Sequence, residues 1–170
     1  MKLKKAIILF SALILITALY VLKITCYSYN PDFAAEYATK HANTKSKGLC
    51  GYYVRLSIEA GGCPTFFFPR SASEYVSFLP DLGFTKIDAS QKRLKGDIVV
   101  FNAVEGHPFG HIAIWNGKQW ISDFKQRGII VNQAYRISDA TFFRLERGKH
   151  KRVLFPANHH FRLFKSLSFK

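Results

Sequence analysis

Hydrophobic and polar positions divide the chain into stretches with different periods. Residues 6–22, AIILFSALILITALYVL, carry no charge and are flanked by Lys2, Lys4 and Lys5 before and Lys23 after. As a helix this stretch spans roughly 25 Å, slightly under a ~30 Å hydrocarbon core. Residues 1–26 therefore read as a hydrophobic targeting helix, a signal anchor or a signal peptide. The anchor is favoured because VLKITCYSYN offers no small-residue cleavage pattern. Three lysines ahead of the span place the N-terminus in the cytoplasm and export the rest. From Asn30 to Leu79 the period is helical. Asn30 and Pro31 make an N-terminal signal, and Phe33, Ala34, Tyr37, Ala38 and His41 line one side of a first helix. A second helix runs from about Cys50 to Ala60, keeps Tyr53, Val54, Ser57 and Ile58 on one face, and stops at Gly61-Gly62. A short third one is expected around Ala72 to Leu79.

The pattern then changes to that of strands. KGDIVVFNAV is a short buried strand, and GHIAIWNGKQWISDF is two strands about an Asn-Gly turn. GIIVNQAYRI and ATFFRLER can supply two more. Helices followed by an antiparallel sheet make an α+β domain over residues 30–148, leaving 149–170 as a tail.

Composition sharpens this picture in two ways. Hydrophobic residues make up 48% of the chain, which excludes disorder for its bulk. The formal charge is +14, and from Arg144 to the end eight Lys/Arg face one Glu. Such a tail, interleaved with aromatics, favours anionic partners, an acidic envelope polymer or lipid. Nucleic acid suits the composition but not an exported chain. Three cysteines are too few for a disulfide framework, although Cys50 and Cys63 could bridge in an oxidising compartment.

The candidate chemistry centres on GLCGYYVRLSIEAGG. Cys50 opens a helix, where unsatisfied N–H groups and the macrodipole favour a thiolate. Gly48 and Gly51 remove side chains on both sides, so a substrate backbone can approach and the Cys50 N–H can meet an oxyanion. A cysteine nucleophile needs a base. Of six histidines, His111 alone stands just ahead of a central-looking strand. An orienting acceptor for it is available in Asp123, twelve residues on. A two-residue hairpin loop would pair His111 with Ser122, and a three-residue loop over 116–118 would pair it with Asp123.

GLCGYYVRLSIEAGG, LKGDIVVFN and GHIAIWNGKQWISDF, in that order, resemble the CHAP and NlpC-type cysteine peptidases and amidases of bacterial cell walls. The resemblance covers roughly Asp32 to Phe143 and implies a reduced papain-like fold with helices packed on an antiparallel sheet. It implies Cys50 as nucleophile, His111 as base and Asp123 as the orienting group, with peptidoglycan as substrate and neither metal nor cofactor. Gly51 and Arg55 are the candidate substrate contacts, Arg55 for a stem-peptide carboxylate. The expected location is the bacterial envelope, membrane-anchored or secreted. Two rivals stand beside this reading. His107 and His111 are spaced as H-x3-H, which suggests a metal site, but Pro108 and Gly110 deny them a common helix. Alternatively, the chain is an inactive, membrane-tethered binding module on the same scaffold, in which case Cys50 has ordinary thiol reactivity.

Overall fold

The computed structural model describes residues 10–14, 24–25, 29–65, 68–145 and 152–153. Most of the expected targeting helix and most of the basic tail lie outside the described residues. Among the described residues no helix is long and apolar enough to cross a membrane.

The α+β architecture is present, with helices preceding a five-stranded antiparallel sheet. Helix α1 (Pro31–His41) is capped by Asn30, whose side chain accepts from the backbone N–H of Asp32 and Phe33. Helix α2 (Cys50–Ala60) ends at Gly61, and a 3₁₀ turn at Ala72–Glu74 leads into α3 (Tyr75–Asp81). A two-stranded pair joins β1 (Ile24–Thr25) to β7 (Arg152–Val153). The main sheet contains β2 (Thr85–Ile87), β3 (Ile98–Phe101), β4 (His111–Trp115), β5 (Trp120–Ile121) and β6 (Ala140–Arg144) in the spatial order β2-β6-β3-β4-β5.

Alternation along the central strands builds two cores. Ile98, Val100, Ile112 and Ile114 join Val54, Ile58, Phe78 and Leu79 in the helix-side cluster. Each such side chain contributes on the order of 1.5–3 kcal/mol by leaving water. Val99, Phe101 and Ala113 point the other way and pack with Trp120, Tyr135 and Phe142. The Gly-Asp pair ahead of β3 has a structural reason. Asp97 is fully buried and accepts from Arg144 Nε and Nη2, both at 2.7 Å, and from the Leu94 backbone N–H at 2.8 Å. This fork ties the start of β3 to the end of β6.

Two expectations are corrected. GIIVNQAYRI does not form a strand. Asn132 instead closes a turn, its side chain and carbonyl accepting from the N–H groups of Ala134 and Tyr135, while Ile129 and Val131 cover the second core. The β4–β5 hairpin has neither a two- nor a three-residue loop. Trp115 pairs with Trp120, so four residues intervene, and Asn116 Oδ1 accepts from the N–H groups of Lys118 and Gln119.

Candidate active site

Cys50 is the first residue of α2, and its cap residue Leu49 makes no side-chain cap. Cys50 is free and Cys63 is disulfide-bonded, so the two do not bridge each other. The N–H groups of Ile112, Gly51 and Cys50 all lie against the sulfur and favour a thiolate. Burial outweighs them, and the negative charge of Asp123 adds to it, so the thiol pKa is raised. The flanking glycines differ in purpose. Gly48 takes φ +70°, a conformation that favours glycine. A Cβ on Gly51 would meet Tyr75 at an ordinary 3.6 Å, so packing does not demand glycine there.

His111 opens β4 opposite Phe101, and the residue after it, Ile112, supplies the N–H beside Cys50. The two sequence candidates therefore lie at the same end of the sheet. Gly110 makes this entry possible. It sits at φ +67°, and a Cβ there would collide with the Phe101 carbonyl oxygen and crowd Ser73. The preceding loop is held by Ser71 Oγ and the Ser73 N–H, both donating to the Phe109 carbonyl. The imidazole is buried beside Phe101 and Tyr135, each with its ring centroid 6.4 Å away. Burial lowers its pKa from 6.5 to about 4, with Asp123 opposing and His107 reinforcing the shift. Near neutrality the resting pair is a neutral thiol and a neutral imidazole.

Asp123 is also buried here, but its carboxylate serves the cysteine loop. Oδ2 accepts from the Lys47 N–H at 2.5 Å, and from Ser46 Oγ and the Leu49 N–H at 3.2 Å. Oδ1 accepts from Ser122 Oγ, and the Asp123 carbonyl accepts from both the backbone and the side chain of Asn43. Asp123 thus anchors the segment entering α2. The polar group beside His111 Nε2 is Gln126, whose carboxamide lies 2.6 Å away. The reason is the path of the chain after β5. The Ser122 N–H donates to the Phe124 carbonyl and Ile121 bridges to Lys125, so the strand folds back on itself. That turn aims Asp123 at the loop and Gln126 at the imidazole.

Arg55 is already engaged. Its Nη1 pairs with Glu59 Oε1 at 2.7 Å, and its guanidinium lies over the rings of Phe68 and Tyr52. Three residues that were not anticipated adjoin the site. Gln126 is one. Tyr135 packs on His111 and its pKa is raised by burial and by Cys50. Tyr75 donates from its hydroxyl to the Gly51 carbonyl at 3.2 Å. Exposed Leu49, Tyr52 and Phe109 occupy positions adjoining the site residues in the chain. No group of three potential metal ligands occurs among the described residues.

A crystal structure of the type VI native effector–immunity complex Tae3–Tai3 from Ralstonia pickettii contains a chain 38% identical to this one. The match has a TM-score of 0.64 and covers 69% of this chain and all of that one. The chain belongs to the Tae3 type VI effector family. A second, selenomethionine structure of the same complex matches at 38% identity and a TM-score of 0.59, over 65% of this chain and 98% of the other. No protein-family profile and no curated protein matches. The CHAP and NlpC likeness is thus an approximate guide to a more specific family.

Proposed function

We propose that this member of the Tae3 family is a peptidoglycan hydrolase that cuts an amide bond of the stem peptide or of its muramoyl linkage. In this reading it is a type VI effector acting in the bacterial envelope. An immunity protein analogous to Tai3 would be its protein partner. The observation that carries the proposal is the convergence of a free Cys50, at the N-terminus of α2, with His111 at the start of β4, inside a fold shared with an effector.

The neutral resting pair shapes the mechanism. As Cys50 Sγ bonds to the amide carbonyl carbon, its proton passes to His111, and the carbonyl π electrons move to oxygen. The N–H groups gathered at the helix start support the negative charge that develops. The imidazolium then protonates the leaving amine as the C–N bond breaks, leaving a thioester on Cys50. Water, deprotonated by His111, hydrolyses the thioester and restores the thiol. Gly51 leaves room for the substrate backbone. Arg55, held by Glu59, shapes the helix face and is not a free carboxylate receptor.

The test uses purified sacculi and the full chain, as wild type and Cys50→Ala, with released fragments read by mass spectrometry. Fragments from wild type alone support the proposal, and their masses name the bond. Sacculi that bind both proteins and release nothing would favour the inactive binding module.

A further inference from the structure

We infer that Gln126 is the positioning residue of the site, accepting a hydrogen bond through its side-chain carbonyl from His111 Nε2–H and so leaving Nδ1 as the basic nitrogen for Cys50. This deepens the thiol acyl-transfer reading and rests on it.

Gln126 is almost completely buried, and its backbone N–H donates to the Trp120 carbonyl at 2.9 Å, so the residue is fixed in the turn that follows β5. One end of its carboxamide lies 2.6 Å from His111 Nε2. With the amide nitrogen at that end, Oε1 is buried with no hydrogen-bond partner. The two ends of a carboxamide exchange by a half-turn of the terminal torsion, so the hydrogen-bond network must decide between them.

The chemistry of the neighbours decides. A neutral imidazole carries one proton, and each amide orientation selects one tautomer. An NH₂ toward Nε2 would occupy that lone pair and put the proton on Nδ1, the only ring nitrogen left for Cys50. The thiol, held neutral by burial, would then meet an N–H and have no base. A carbonyl toward Nε2 accepts the Nε2 proton and frees the Nδ1 lone pair for the thiol proton. When His111 becomes imidazolium both nitrogens donate, and the same carbonyl still accepts. Asp123 does not take this place, because its carboxylate is turned to the loop at 46–49 and to Ser122.

Unlike a carboxylate, an amide carbonyl fixes orientation without adding a full charge. It therefore leaves the imidazole pKa low, in line with its value of about 4. Replacing it with a carboxylate should raise that pKa, since an adjacent negative charge favours the imidazolium.

The test combines nitrogen-15 NMR of the His111 ring with the pH dependence of Cys50 alkylation by iodoacetamide, mapped by peptide mass spectrometry. Wild type, Gln126→Ala and Gln126→Glu are compared as full chains. The inference predicts the Nε2–H tautomer in wild type near pH 7. It also predicts that Gln126→Glu shifts the acid limb of the alkylation profile to higher pH by a unit or more. In sacculi digests Gln126→Ala should lose on the order of 100-fold in kcat with little change in KM. An Nδ1–H tautomer in wild type, or an unmoved profile in Gln126→Glu, would overturn the inference. The wild-type spectrum needs no variant to fold, and neither readout needs turnover. Failure of sacculus cleavage by wild type would instead reject the hydrolase reading.

Discussion

Protonating His111 should cost stability, and the structure sets the size and the pH window. The imidazole is buried at the end of β4, and its pKa falls from 6.5 to about 4. Between those values the unfolded chain carries the proton and the folded chain does not, so stability rises with pH. The difference corresponds to about 3 kcal/mol, fully present above pH 6.5 and lost as the pH falls toward 4. Urea denaturation of wild type and His111→Phe, at half-unit steps from pH 4 to 8, isolates this contribution. Subtracting the two curves cancels the exposed carboxylates and the other histidines. The difference should tilt against wild type by about 2–3 kcal/mol on going from pH 7 to pH 4.5. A flat difference would mean that His111 titrates normally, and the claim that burial holds its pKa down would fall with it. In kinetics, the same lowered pKa keeps the base unprotonated well below neutrality, so the acid limb of kcat/KM should lie below pH 6.

Other perturbations probe the scaffold. Asp123→Ala removes the acceptor of the Lys47 and Leu49 N–H groups; chemical denaturation should show a loss of about 1–3 kcal/mol, and proteolysis should cut first in the 43–49 loop. Gly110→Ala combines a positive φ with a backbone collision, so thermal melts should show a loss of about 2 kcal/mol or more. Gly51→Ala meets only an ordinary contact; it should melt with wild type while slowing sacculus digestion, because the added methyl stands beside the nucleophile. Asp97→Ala leaves the largely buried Arg144 guanidinium without its fork, a cost of about 3–5 kcal/mol by urea denaturation.

What the sequence made legible follows from which interactions are local. Asn30 with Pro31, and Gly61 after Ala60, write the ends of α1 and α2 into neighbouring residues. The uninterrupted apolar runs IVVF and IAIW declare strands buried on both faces. Cys50 and His111 could be singled out because a helix start and a strand start are local events. The third polar group was not legible in this way. Its identity depends on a four-residue hairpin loop stabilised by Asn116 and on the reversal after Ser122. A one-residue change in register exchanges the faces of a strand, and no period in SDFKQRG marks Gln126 as inward. Arg55 reads as a solvated cation or a substrate contact in the sequence because the ring that covers it, Phe68, arrives through a loop, although its ion-pair partner Glu59 stands one turn on in the same helix. GIIVNQAYRI has strand composition, yet the Asn132 turn competes locally and wins.

The most direct test of the central claim is the intact mass of the full chain, acid-quenched during turnover of a soluble peptidoglycan fragment and then digested to locate any adduct. The account predicts an acyl adduct on Cys50 that forms within the first turnover and disappears as substrate is exhausted, and that is absent from Cys50→Ser. Cleavage of the fragment by Cys50→Ser at the wild-type rate would contradict it.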